Sequence, residues 1–450
     1  MKSNSVLAIA TAAAAMAGLL FGYDNIVISG AIGYLAMHYA LAPIAVGWAA
    51  GCALLGCLLG SATAGSVADK FGLREALYGC AACFALSSLG VWAAGSFTQF
   101  VILRILGGVG IGAASIVAPM YIAEMAPAAV RGRLVVLYQL GIVLGILLAV
   151  FVNMLIRGLG SEGWNAEYGW RWMFAAAGLP AVVFGLILLF SKQSPRWLMK
   201  NGREQEALAV LAAINGAQTA AGQVSAIRES LGEERGGLKE LLSAPLRPAL
   251  TMGFILAGFS QMSGITALLS FLPEVFQSSG QQAGSAFQSA VLVGVVNLIC
   301  TGLAIWLVDR NGRRTLLITG TLLQTMALAS AGTLYAVHRN DTAILVSIML
   351  FVAGHAVGNG AVCWVIMSEI FPTKIRGAAM SVATTAIWIF AYLANQFFPL
   401  MQKVLGTYGL FFFFATMAAL NFAYVLAVVP ETKGYTLEQI GRIWSQRGKR

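Results

Sequence analysis

The chain is predicted to be an all-α integral membrane protein, with twelve transmembrane helices in two pseudo-symmetric six-helix bundles. Three observations predict this. Of its 450 residues 59% are hydrophobic and only 10% charged, a composition whose solvent is lipid. Apolar runs long enough to cross a bilayer recur along its length. Two polar loop motifs of the first half return in the second at nearly one offset. The same arithmetic excludes a disordered chain, a disulfide scaffold and a nucleic-acid binder. The formal charge of +10 sits in clusters between apolar runs, where it orients a membrane protein.

Spans are predicted near 6–35, 43–66, 76–96, 98–122, 134–156, 171–191, 249–272, 286–308, 315–337, 342–368, 378–402 and 407–429. The first continues past Asp24 toward Leu35, which favours an uncleaved span over a signal peptide. Sorted onto alternate sides, Arg157, Arg171, Arg339 and Lys403 fall on one face, Arg104 falls within a span, and the rest of the 28 Lys and Arg share the opposite face. That asymmetry predicts a cell (plasma or inner) membrane protein with both termini cytoplasmic. All six cysteines lie in apolar stretches and read as small packing residues, Cys80-x-x-Cys83 included.

Residues 192–247 mix cations with glutamates and break the apolar pattern, with helical spacing over Arg203 to Ile214 and Gln223 to Leu231. The organisation is therefore an N-terminal bundle at 1–191, a cytoplasmic helical insert at 192–247, a C-terminal bundle at 248–430 and a tail at 431–450. The halves repeat. Asp69-Lys70-Phe71-Gly72-Leu73-Arg74 returns as Asp309-Arg310-Asn311-Gly312-Arg313-Arg314, an offset of 240. Glu124, Pro127 and Arg131-Gly132 return as Glu369, Pro372 and Arg376-Gly377, an offset of 245. Recurrence in corresponding loops argues for a duplicated six-helix unit.

Each motif places a carboxylate at a helix end, a glycine at a turn and cations just beyond, which suits a loop at the lipid boundary. Anchoring alone explains that chemistry. Reciprocal acids and bases in both repeats favour a cytoplasmic gate made from Glu124, Arg131, Glu369 and Arg376, with Asp69, Arg74, Asp309 and Arg314 beside them. Weak rim pairs suit a reversible latch. Deep in the predicted spans the strongly charged residues are Asp24 and Arg104. A lone acid and a lone base in hydrocarbon are expected to face the interior and pair, either as a static bridge or as a proton switch. Burial favours the neutral acid and a nearby guanidinium the anion, so withdrawing the partner lets the acid take a proton.

The glycines at 107, 108, 110 and 112 suit close helix packing rather than a dinucleotide fingerprint, because no strand precedes them. The Gly358-Asn359-Gly360 break is expected to line a cavity, with Trp364 close behind. No zinc-protease, phosphate-loop or nucleophile-elbow motif is present, so neither enzyme activity nor a metal or cofactor is expected.

These residues resemble the sugar porter family of the major facilitator superfamily over almost the whole length. The resemblance rests on Gly22-Tyr23-Asp24, Asp69-Lys70-x-Gly72, Arg104-x-x-Gly107-Gly108, Pro119-x-Tyr121-x-x-Glu124, Arg131-Gly132, Ser194-Pro195-Arg196-Trp197-Leu198 and Pro430-Glu431-Thr432-Lys433-Gly434. It implies two bundles rocking around a midplane site. It also implies proton symport, because family symporters carry an acid at Asp24 paired with the arginine matching Arg104. By the same resemblance Gln139, Gln261 and Trp364 contact the solute. Amides offer donors and acceptors to hydroxyls, and an indole covers an apolar sugar face.

The family pattern is broken at Ser260, Thr266, Ser270 and Phe271 in the seventh span, at His355, Asn359 and Ala361 in the tenth, and at Ile387 and Ala391 beside Trp388 in the eleventh. His355, Asn359 and Thr266 are candidate replacement contacts, with Trp388 beside them. Each lost hydrogen bond to a sugar is worth about 1 kcal/mol, so glucose is not expected, and pentoses, deoxy sugars, polyols and a small organic acid stay open. The expected activity is import of a monosaccharide or related polyhydroxylated solute with a proton, by a monomer in the lipid bilayer. Two alternatives stand beside it: symport of a small organic or sugar acid, and a transporter-like sensor without net flux.

Overall fold

The computed structural model describes residues 3–232, 247–337, 341–371 and 376–433. Every regular element among them is helical. Among the described residues eleven helical stretches are long and apolar enough to cross a membrane, from Ser5–His38 to Ala379–Val428. The last holds two of the predicted spans. Gly406 interrupts it with φ 69°, a left-handed value that glycine adopts without a steric cost, so one continuous rod becomes two helices. The described part of the insert holds Pro195–Lys200, which the spacing did not predict, Glu204–Asn215, which matches it, and Ala217–Gly232, which starts before the predicted Gln223; residues 233–246 lie outside the described residues.

Large apolar side chains such as Leu86, Leu179, Phe190 and Ile299 are exposed on the helix exteriors, while Asp24, Arg104, Asn359, Gln324 and Asn421 are buried. That inversion is what lipid requires. The glycines of the fourth span, Phe97–Met125, permit backbone contact with the second, Pro43–Phe71. A Cβ on Gly108 would stand 1.9 Å from the Ala53 carbonyl oxygen, and one on Gly112 2.0 Å from that of Cys57.

Contacts divide the chain into two compact units. The first comprises Met1–Val27, Cys52–Ala149 and Arg171–Glu234; the second comprises Ile28–Gly51, Val150–Trp170 and Arg235–Arg450. Segments from the first half of the sequence therefore pack within the second unit. There Gln396 donates through Nε2 to the Ile44 carbonyl at 2.9 Å, and Trp48 meets Tyr392 edge to face.

Three departures from ideal helix shape the candidate site. The first span breaks between Ser3–Ile26 and Ile28–His38, just after Asp24. The seventh breaks at Gly264, whose φ of 86° and ψ of 11° no residue with a Cβ adopts cheaply. The tenth widens to a π-turn at Ala356–Gly360, which contains the predicted break at Gly358-Asn359-Gly360.

Candidate functional site

In the first unit Asp24 and Arg104 form a sealed pair. Arg104 Nη1 donates to Asp24 Oδ1 at 2.8 Å and Nη2 donates to the Asp24 main-chain oxygen at 2.9 Å. Their side chains are 3% and 1% exposed, so neither charge is solvated by bulk water. The guanidinium lies 5.0 Å from the Phe174 ring centroid, which adds a cation–π contact. Asp24 Oδ2 has no hydrogen-bond partner among the described residues, nor does the buried hydroxyl of Ser87. Both border Gly107: a Cβ there would stand 2.5 Å from Ser87 Oγ and 3.1 Å from Asp24 Oδ2. Gly107 thus keeps open the space beside the unpartnered oxygen.

Of the other resemblance-derived residues, Gln139 belongs to the first unit and is partly buried. The remainder belong to the second. Thr266 donates its hydroxyl to Gln261 Oε1 at 2.6 Å across the Gly264 break, which fixes the amide orientation. Trp364 is partly buried against the apolar cluster that contains Cys363 and Ile387. Trp388 is buried. His355 closes the helix before the π-turn and is partly buried, with Nδ1 sealed and unpartnered among the described residues. Asn359 is buried within the π-turn and accepts from Asn421 Nδ2 at 3.4 Å, so its amide oxygen faces the twelfth helix. The structure thus brings together Gln261 with Thr266 and Asn359 with Asn421.

Five of the expected gate residues find partners within their own unit, while Arg131 has no carboxylate partner among the described residues. In the first unit Ser194 donates its hydroxyl to Glu124. Asp69 receives Lys200 Nζ at 2.8 Å, and Arg74 Nε donates to the Leu188 carbonyl at 3.4 Å. In the second unit Glu369 receives Arg313 Nη2 at 3.1 Å and the Thr432 hydroxyl at 2.5 Å. Arg314 Nη2 donates to the Leu426 carbonyl at 2.8 Å. The side chains of Asp309 and Arg376 lie outside the described residues.

The profile of the family described as "Sugar (and other) transporter" matches residues 10–444. The arabinose-proton symporter of Bacillus subtilis (strain 168) is 37% identical over 434 residues, covering 96% of this chain and 94% of that protein. The D-xylose-proton symporter of Escherichia coli (strain K12) is 36% identical over 474 residues, covering 98% and 96%. The solved structure of the xylose transporter XylE from E. coli, partially occluded and inward open, matches with a TM-score of 0.87 at 34% identity, covering 96% of this chain and 100% of that one. XylE bound to 6-bromo-6-deoxy-D-glucose matches with a TM-score of 0.82 at 36% identity, covering 98% and 100%.

The chain belongs to the sugar transporter family. It has the major facilitator fold and is a multi-pass membrane transporter, not an enzyme.

Two features of this transporter escaped the sequence reading. The first is a third repeated motif. Gln193 Oε1 accepts the Arg74 N–H at 3.3 Å, and Glu431 accepts the N–H groups of Arg313 at 2.9 Å and Arg314 at 3.1 Å. The next residue in each case, Ser194 or Thr432, donates to the carboxylate of the Glu124/Glu369 motif. An acceptor followed by a hydroxyl just past the last span of each half was the available signal, but Gln and Glu do not align as identities. The second is Glu274, two residues beyond the predicted end of the seventh span. Its Oε1 accepts the Gly33 N–H at 3.1 Å, and its sealed Oε2 has no partner among the described residues.

Proposed function

We propose that this transporter imports a pentose or related monosaccharide by proton symport through alternating access, with Asp24 as the proton carrier. Sugar-proton symport follows from the family and from relatives that are named arabinose-proton and D-xylose-proton symporters. The buried Asp24–Arg104 pair is the observation that carries the assignment to this residue. A carboxylate sealed against a guanidinium holds its charge only while the partner stays, and breaking such a pair costs about 3–5 kcal/mol unless the remaining charge is neutralised. A proton on Oδ2 supplies that neutralisation without first displacing Nη1 from Oδ1.

Gln139, Gln261, Thr266, Trp364 and Trp388 are assigned to the solute, and His355 is kept as a further polar contact. Asn359, bonded to Asn421, is assigned instead to shaping the π-turn. The shortened polar side chains at Ser260, Thr266 and Ser270 favour a solute with fewer hydroxyls to satisfy than a hexose. The rim residues Asp69, Arg74, Glu124, Arg131, Asp309, Arg314, Glu369 and Arg376 act as a cytoplasmic gate by exchanging partners through the cycle. The protein works as a monomer in the lipid bilayer of the plasma membrane, with both termini in the cytoplasm.

Proteoliposomes test this reading. Wild type is expected to accumulate labelled xylose or arabinose against its gradient and to alkalinise the outside on solute addition. Asp24→Asn is expected to lose accumulation while retaining solute exchange. Undiminished accumulation by that variant removes Asp24 from the coupling, and uptake without any proton movement removes symport.

A further inference from the structure

A cavity of about 380 Å³ opens in the first unit, between the end of the fourth span, Arg131 at the start of the fifth, Arg196 after the sixth, and the two insert helices. Its size falls within the range of small-molecule sites. It is built from a different set of residues than the solute contacts assigned above.

The charged residues around it are unevenly satisfied. Three other cations of this segment have carboxylate partners: Lys200 with Asp69, Arg203 with Glu206, and Arg228 with Glu204. Arg131 and Arg196 have none among the described residues, and both line the cavity. Arg196 Nε is sealed from solvent without an acceptor among the described residues, a condition that folded proteins rarely leave uncompensated. Glu124 is the acid on the wall, and its carboxylate already accepts the Ser194 hydroxyl.

The remaining wall is amide and apolar. Asn215 Nδ2 donates to Gln223 Oε1 at 2.8 Å, which leaves Gln223 Nε2 and Asn215 Oδ1 without other partners among the described residues and so available to a guest. Ile227, packed on the small core of the insert, supplies an apolar side. Two guanidiniums opposite one engaged carboxylate favour an anion, and a fork of N–H donors matches the oxygens of a phosphate group. The amide pair matches hydroxyls.

We propose that this cavity binds a phosphate ester of a small polyhydroxylated molecule, with Arg131 and Arg196 on the phosphate and Asn215 and Gln223 on the hydroxyls. Such a group is carried both by soluble sugar phosphates and by the glycerol headgroup of an anionic phospholipid.

The test uses the full-length protein in nanodiscs of neutral phosphatidylcholine, titrated with glucose 6-phosphate and, as the uncharged counterpart, glucose. Glucose 6-phosphate is expected to bind, and Arg196→Gln to weaken it about tenfold or more. Ile227→Trp, which fills the cavity without removing a charge, is expected to weaken it comparably and keeps the test decisive should the arginine variant fold poorly. For the lipid source, nanodiscs that include phosphatidylglycerol are expected to yield that lipid with the extracted wild-type protein and less of it with either variant. Binding of the soluble ester supports the first source, and variant-sensitive lipid retention the second. If glucose 6-phosphate does not bind and lipid retention ignores both substitutions, the site does not exist. Ester binding that both variants leave unchanged overturns it equally, because the guest then sits elsewhere.

Discussion

The two motif corners, one in each unit, solve the same problem with different residues. In the first, Gly72 turns the chain with φ 102° into the helix Leu73–Ala93; in the second, Gly312 does so with φ 84° into Arg313–Ala336. Each new helix presents unsatisfied N–H groups and the positive end of its dipole. The first helix carries its own acid, Glu75, in the opening turn, and Gln193 joins it as a neutral partner, accepting the Arg74 N–H and donating to Glu75. The second helix has no acid in its first turn, and Glu431 supplies the charge from outside. Each corner thus sets one carboxylate at the helix start. What the duplication preserved is that electrostatic requirement, while the residue meeting it moved.

The sharpest way to break the likeness is at the glycines. A Cβ on Gly72 would stand 2.0 Å from Gln193 Nε2, and one on Gly312 2.6 Å from Glu431 Oε2, each at a left-handed φ. Gly72→Ala and Gly312→Ala are expected to cost about 1–3 kcal/mol each. The loss should appear as a thermal-shift decrease of several degrees, with Gly72 the more sensitive. Gly65→Ala, where a Cβ meets nothing within 4 Å, is the control expected to show no loss.

Exchanging the charge pattern tests the comparison directly. Gln193→Glu would face two carboxylates at one helix start, and Glu431→Gln would leave the other with none. Each is expected to destabilise by about 1–2 kcal/mol. The second also carries a pH signature. Burial opposes the Glu431 charge, but the N–H groups of Lys433, Arg313, Arg314 and Thr432 outweigh it and hold the carboxyl below its usual range. A lowered folded value means that the contribution is complete above the ordinary carboxylate range and is lost as pH falls through the folded value. Melting temperature from pH 7 to pH 3 should therefore fall less steeply in Glu431→Gln than in wild type. Parallel curves would show that the carboxylate contributes nothing.

Smaller effects follow at the hydroxyls. Thr432→Val removes one donor from Glu369 but leaves Arg313 in place, a cost of about 1 kcal/mol. Ser194→Ala should cost more, because that side chain also caps the Trp197 N–H. The smallest change is expected at the exposed cations. Lys200→Ala loses an ion pair to Asp69 and Lys433→Ala a bond to the Arg310 carbonyl, and neither should exceed about 1 kcal/mol by chemical denaturation.

Hydropathy located the membrane helices because lipid imposes one strong constraint on every span, and it located Asp24 and Arg104 because charge at that depth is costly. The glycine-bearing loop motifs were legible for a related reason: a positive φ admits few residue types, so the letter survives duplication. Gln193 and Glu431 were not legible as a pair, since an amide and a carboxylate both accept an N–H and only the contact shows their equivalence. Glu274 was missed because its acceptor role depends on a backbone N–H at Gly33, far away in sequence. The orientation of Asn359 toward Asn421 depends on the register of the π-turn, which composition does not encode.

Arg104 holds Asp24 at two atoms, and one of them belongs to the main chain. That tether does not depend on the acid's ionisation. When the side chain is neutral, the guanidinium keeps its seat through the carbonyl and is not cast loose into the helix interior. In the proposed cycle the main-chain contact would fix the position of Arg104 while the carboxylate contact reports the proton, like an axle with a removable cap. An amide at residue 24 should leave the axle standing while the report falls silent.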